Sequence, residues 1–191
     1  MMGVRTGTTT GTTTGTMTGD RVRAGAAPPR LIVLCGLPGT GKSTLARALA
    51  PRIGAAWLRV DTIEDALGGV EGAEGYRVMT AVAGDLLGTG LPVIADAVHP
   101  VPETLDVWRV VAARCGARIE VVELVCGDPA AHAARIASRR AATGAGPDWA
   151  AVTARDYTAP EGAVRLETAG RTPEAILDTA LHHLAQRGAA A

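Results

Sequence analysis

An α/β fold built on a parallel sheet of about five strands is what the order of apolar segments predicts. Three observations carry it. Short, continuous apolar runs of the kind buried parallel strands show alternate with longer stretches of helical periodicity. The first of those runs leads directly into a glycine-rich loop, and the loop leads directly into a helix-like stretch. Hydrophobic residues make up 47% of the 191-residue chain, enough for a substantial core and too many for a disordered one.

The elements follow in order. "RLIVLCG" (30–36) is a short apolar run ending in glycine and reads as the first strand. Lys42 to Ile53 places Leu45, Leu49 and Ile53 at helical spacing. "AAWLRVD" (55–61) is a second strand ending in Asp61, and Glu74 to Leu87 a helix with Tyr76, Met79, Ala83 and Leu86 near one face. "LPVIADAV" (91–98) is a third strand carrying Asp96, followed by a helix over Thr104 to Cys115. "ARIEVVELVC" (117–126) makes the fourth strand, with an Arg-rich helix at 129–142 behind it. A Gly/Pro break, a helix near 148–157, a fifth strand at "AVRLET" (163–168) and a closing helix from Pro173 to Gln186 complete the pattern. Strands alternating with helices require right-handed crossovers and a parallel sheet.

Residues 1–28 stand apart. "GTTTGTTTGTMTG" is a Thr/Gly repeat with no apolar face and too few hydrophobic residues for a signal-peptide core, so a disordered tail is expected there. One domain is expected over 29–191, with 16 basic and 18 acidic residues left once the tail is removed. That mildly acidic balance and the lack of a basic stripe with interleaved aromatics disfavour a nucleic-acid partner. Nothing approaches the apolar length that spans a membrane, roughly 18 residues or more. Cys35, Cys115 and Cys126 lack metal-ligand spacing and suit free thiols in a reducing, cytoplasmic compartment. His182 and His183 have no ligand-spaced partner and read as surface.

Gly36-Leu37-Pro38-Gly39-Thr40-Gly41-Lys42-Ser43, with Thr44 after it, satisfies the G-x-x-x-x-G-K-[ST] pattern in its required strand–loop–helix setting. Its glycines let backbone N–H groups turn inward around phosphate oxygens, and the helix N-terminus adds partial positive charge. Lys42 is the only lysine in a chain with eighteen arginines, and a phosphate loop needs a compact ammonium rather than a planar fork. The pattern makes Lys42 a bridge between β- and γ-phosphates and Ser43 a Mg²⁺ ligand, so ATP and Mg²⁺ are the expected cofactors.

Three further features bear on the chemistry. Asp61, at the carboxyl end of the second strand, is placed to accept or orient the proton of an attacking hydroxyl; "Asp61-Thr-Ile-Glu64" reads equally as a helix start. Asp96, at the end of the third strand, suits a second Mg²⁺ contact, with substrate contact or strand termination as alternatives, and no water-activating Glu follows it. In "HAARIASRR", His132, Arg135 and Arg139 fall within about 60° of one another on a helix, with Arg140 on the other side. With no acid on the same helix, these arginines suit a lid over a triphosphate as well as a solvated face.

The loop, "RVDTIEDAL", "VIADAVHP" and the Arg-rich segment together resemble the small bacterial P-loop kinases of the AAA_33 type, near the zeta-toxin and chloramphenicol-phosphotransferase groups and the kinase half of polynucleotide kinase. The resemblance runs over nearly everything from Arg30 onward. It implies a three-layer P-loop NTPase fold with strand order 2-3-1-4-5, a small helical lid over about 128–147, and transfer of the ATP γ-phosphoryl to a hydroxyl. It implies further that Asp61 is the catalytic carboxylate, that Arg135 and Arg139 are lid arginines acting on adenine and phosphates, and that the Thr168–Pro173 loop, with Arg171, wraps the adenine edge. No motor is expected of such a chain. Tyr76, Arg77, His99 and Trp108 could line an acceptor pocket, and Arg155, between Trp149 and Tyr157, could meet phosphate. The expected partners are ATP and a small hydroxylated acceptor, bound by a monomer or homodimer. A nucleotide-dependent regulatory protein and a polynucleotide 5′-hydroxyl kinase are the alternatives.

Overall fold

The protein is described here by a computed structural model covering residues 27–69 and 72–189. The Thr/Gly repeat, expected to be a disordered tail, therefore lies outside the described residues. Strand β1 spans Arg30–Cys35, β2 Ala56–Arg59, β3 Val93–Asp96, β4 Arg118–Val125 and β5 Val164–Glu167. The helices are α1 (Lys42–Ile53), α2 (Val60–Ala66), α3 (Ala73–Gly88), α4 (Glu103–Arg114), α5 (Pro129–Thr143), α6 (Trp149–Thr153) and α7 (Pro173–Ala189). All pairings are parallel and the sheet order is β2-β3-β1-β4-β5, the order the resemblance implied.

β1 sits at the centre and is buried on both faces, which is why it reads as an unbroken apolar run. Its pleat deals residues alternately to two cores. Leu31 and Val33 face Met79, Ala83 and Leu87 of α3 and Leu105, Trp108 and Val111 of α4. Ile32 and Leu34 face Leu45 and Leu49 of α1 and Ile176, Ala180 and Leu184 of α7. Each Leu or Ile so enclosed contributes about 1.5–3 kcal/mol of hydrophobic stabilisation. Without Phe, the largest fully buried side chain among the described residues is Trp108.

Local chemistry sets the ends of the helices. α1 stops at Gly54, left-handed at φ 64°, which closes it with a backbone bond to Ala50. α5 starts at Asp128, whose carboxylate accepts from the N–H groups of Ala130 and Ala131, with Pro129 at the first helical position and left-handed Gly144 after the end.

Two expectations need correction. β2 does not run to Asp61: it ends at Arg59, and buried Val60 already opens α2. Asp61 sits in the first turn of that helix, where a carboxylate is favoured by the helix dipole. The helix expected near 148–157 is only the five residues of α6, opened by Asp148 accepting from Ala151 N–H. The chain then returns to β5 through an irregular segment, tied at Thr158 N–H to the Pro100 carbonyl (2.9 Å). Among the described residues no helix is long and apolar enough to cross a membrane.

Candidate active site

The loop between β1 and α1 turns on three glycines with positive φ: Gly36 (127°), Gly39 (82°) and Gly41 (100°). Gly36 is fixed by more than its dihedral, because a Cβ there would run into the Leu124 carbonyl oxygen. A Cβ on Gly39 would lie 2.7 Å from Ile136 Cδ1 of α5. Inside the loop, Lys42 is 8% exposed, and its Nζ donates to the carbonyls of Gly36 (2.7 Å) and Leu37 (2.9 Å). Burial pulls its pKa down to about 8 against the opposing pull of the Asp96 and Asp61 carboxylates. An ammonium in that condition lacks a full counter-charge, and a polyphosphate would supply one.

Asp96 ends β3 beside Leu34 and is buried. Burial raises its pKa, while hydrogen bonds from Ser43 and from Trp57, together with the Lys42 charge, hold it down. Trp57 Nε1 donates to Asp96 Oδ2 at 3.2 Å. A hydroxyl and a carboxylate brought together at the head of α1 form a hard-oxygen donor pair that suits Mg²⁺, which keeps waters and phosphate oxygens in its remaining positions. No cluster of three or more His, Cys, Asp or Glu with metal-holding geometry occurs among the described residues, as a metal shared with substrate allows.

Asp61 is brought to the same end of the sheet by the turn from β2 into α2. Its Oδ2 accepts from Arg59 Nη2 (3.0 Å) and from Arg139 Nη2 of α5 (3.4 Å). The Arg139 contact joins the two sides of the site across 78 residues of sequence. With side chains 43% and 44% exposed, that pair is weak and readily exchanged.

The arginines of α5 divide their work. Arg135 donates twice to Thr168, to Oγ1 (2.9 Å) and to the carbonyl (2.7 Å), fastening α5 to the loop after β5. Arg140 donates to the Gly146 carbonyl (2.9 Å) and holds the turn after the helix. Arg171 lies against α7, where its Nη2 donates to the Ala175 carbonyl (2.8 Å) and Thr179 Oγ1 (2.7 Å). It shares the loop with Thr168 but is already engaged.

Several residues sit where sequence reasoning did not put them. His132 is a strut: its Nε2 hydrogen-bonds the Pro38 carbonyl at 2.7 Å, and Trp149 packs edge-on against its ring at 5.0 Å. The i, i+4 pairing of His132 with Ile136 marks the helix face that meets the loop, and it was legible beside the arginines. His99 and Trp108 do not line an open pocket. Both are fully buried, His99 at a left-handed φ of 51°, with its ring 5.4 Å from Tyr76 and 6.0 Å from Trp108. Burial drives the His99 pKa down to about 3, so the ring is neutral. Tyr76 OH accepts from His99 N–H at 3.4 Å, and Arg77 is exposed. Glu123 of β4, taken by the sequence as part of an apolar strand, is a buried carboxylate bonded by Tyr157 OH (3.0 Å).

Solved structures share this architecture. A gluconokinase from Sinorhizobium meliloti 1021 superposes with a TM-score of 0.63 at 21% identity, over 84% of this chain and 94% of its own. The APS kinase of Mycobacterium tuberculosis, in complex with AMPPNP and APS, gives 0.64 at 21% identity, over 83% and 99%. A sugar kinase from Janibacter sp. HTCC2649 gives 0.60 at 15% identity, over 82% and 95%. No curated protein matches the chain by sequence. The family model AAA_33, described as an AAA domain, matches residues 31–160, which takes in the loop, Asp61, Asp96 and all of α5, and the chain belongs to that family.

Proposed function

We propose that the protein is an ATP-dependent phosphotransferase that moves the γ-phosphoryl group of ATP to a hydroxyl of a small molecule. The observation that carries this reading is the meeting of Arg139 and Asp61 above the loop. It brings a proton acceptor and a lid cation to one place, where both charges act on a lysine held ready for phosphate. The structural neighbours named as a gluconokinase, a sugar kinase and an APS kinase support the reaction class.

In this reading the loop N–H groups and Lys42 hold the triphosphate, exchanging the Gly36 and Leu37 carbonyls for β- and γ-oxygens. Ser43 and Asp96 hold Mg²⁺, which when bound screens phosphate charge. Arg135 borders the base at Thr168, and Arg171 stands behind it on the same loop. The acceptor hydroxyl displaces Arg139 from Asp61 and gives its proton to that carboxylate as its oxygen bonds to the γ-phosphorus. The bond from phosphorus to the ADP oxygen breaks, and Arg139, released, faces the charge on the transferring group.

The test is ADP release with nucleosides, sugars, amino sugars and hydroxylated antibiotics, each run with wild type and Asp61→Ala. One acceptor should raise turnover well above the ATP-alone rate, and the variant should lose on the order of 10²–10⁴ of that increment. If no acceptor stimulates and Asp61→Ala hydrolyses ATP like the parent, the role given to Asp61 is wrong. A nucleotide-dependent regulatory protein then becomes the better reading.

A further inference from the structure

β1 and its loop divide the active end of the sheet. Asp61 and Asp96 stand on the side of β2 and β3, while β4 and β5 lie on the other. On that second side is a cavity of about 290 Å³ between the loop, the end of β4, the first turns of α5 and the return segment. It touches the loop at Gly36, Leu37 and Thr40 but includes neither Lys42, Ser43, Asp61 and Asp96 nor the Arg135–Thr168 contact. We propose that this cavity is a recognition pocket for a small molecule that presents a hydroxyl or ammonium group to Glu123.

Glu123 differs from its neighbour on the same strand in its counter-ion. Glu120, three residues earlier on β4, is equally buried but has a close counter-ion: its Oε1 takes Arg30 Nη2 at 2.6 Å and Arg30 Nε at 3.1 Å. That is a structural ion pair. Glu123, with 5% of its side chain exposed, has no such partner. Its Oε1 accepts from Tyr157 OH at 3.0 Å, and its Oε2 lies 3.9 Å from Arg165 Nε, beyond hydrogen-bond reach. The Arg165 side chain is 66% exposed and stands at the rim in water. A buried carboxylate is costly unless its lone pairs are met. Here one oxygen is met by a neutral phenol, and the other faces a cavity with room for a donor.

The walls narrow the chemistry. Leu37, Leu124, Val125 and Ala159 are apolar, Glu123 with Tyr157 supplies the polar floor, and Thr40, His132 and Arg165 stand around it. A carboxylate or phosphate entering floor-first would meet Glu123 charge to charge in a partly dried site, whereas a hydroxyl or ammonium completes its hydrogen bonding. The volume suits one sugar-sized ring rather than a drug-sized ligand. Taking the occupant to be the phosphoryl acceptor rests on the kinase reading above. An effector of the same chemistry would use the same floor.

Direct binding separates these cases. With a non-hydrolysable ATP analogue present, calorimetry measures a panel of neutral sugars, amino sugars, aminocyclitols and nucleosides against sugar acids of matched size. At least one neutral or amine-bearing member should bind ten-fold or more tightly than its acid counterpart. Glu123→Gln should bring that ratio to within about two-fold while leaving affinity for the ATP analogue unchanged. Tyr157→Phe, which keeps the carboxylate, should weaken the preferred ligand three- to ten-fold and serves if Glu123→Gln folds poorly. The proposal is overturned if no member binds, if the acids bind as well, or if the preference survives in Glu123→Gln. Phosphorylation of the bound compound identifies it as acceptor. Binding without phosphorylation supports the pocket as an effector site, and the kinase reading then stands or falls on the ADP-release test alone.

Discussion

The two flanks of the phosphate loop are built by different rules. On the β2–β3 flank the acids sit at strand ends in short, recognisable patterns: Asp96 closes an apolar run, and Asp61 follows β2 by two residues. On the β4–β5 flank the polar residues are scattered. Glu123 hides inside an apolar strand, Tyr157 comes from an irregular segment 34 residues later, and His132 arrives from a helix. In the proposed reading the first flank performs chemistry that any nucleotide-dependent transfer needs, so its residues fall at stereotyped places. The second is proposed to recognise a small molecule, a task that no phosphate-loop pattern encodes.

The largest expected effect is one that should collapse both flanks together. Gly36→Ala puts a Cβ into the Leu124 carbonyl at a residue with φ 127°, so the loop and β4 must separate. We expect a loss of more than about 2 kcal/mol in stability and the disappearance of nucleotide binding, read by thermal melting and nucleotide titration. A variant with wild-type melting and affinity would show that the loop is not wedged against β4 as described.

A smaller effect separates the flanks by pH. His99 is neutral in the fold with a pKa lowered to about 3, against an ordinary value near 6.5. Between those values the unfolded chain binds the extra proton, so this contribution to stability is complete above about pH 6.5 and is lost as pH falls toward 3. His99→Asn, which tolerates the left-handed backbone, should be less stable at pH 7 yet lose less on going to pH 4.5. Equal slopes of melting temperature against pH would place the acid sensitivity elsewhere.

The smallest effect is expected at the far edge of the site. Arg171 already donates to Ala175 and Thr179, both on α7. Arg171→Ala should therefore change nucleotide affinity by no more than about three-fold, whereas Arg135→Ala, which frees α5 from Thr168, should cost more. If Arg171→Ala proves the worse of the two, the arginine must leave α7 to meet the base.

Much of this was open to reading along the chain. The strand–loop–helix context of Gly36–Ser43 fixes a phosphate loop because those residues are contiguous and their backbone geometry is local. The alternation of apolar runs and helical stretches reports the layers, since each run is buried by its own face. The boundary of β2 differs from the expectation because "AAWLRVD" has strand composition throughout, while Val60, the first residue of α2, is buried in the core that α3 and α4 share. His99 and Trp108 looked like pocket residues because both carry polar atoms. Their enclosure by Tyr76 and the α4 core is a fact of packing that no periodicity announces.

By itself, the sequence determined the loop, the alternation of strands and helices, and two acids at or just past the ends of apolar runs, all of which depend on neighbours within a few residues. Only the tertiary structure decided that Arg139 crosses to Asp61, that His132 props Pro38, and that Glu123 and Tyr157 meet beside the loop. Those contacts join residues 34 to 94 positions apart, brought together by the crossover of β4 beside β1. Local patterning sets which backbone forms. The partner of a buried polar side chain is set by which elements the sheet makes neighbours.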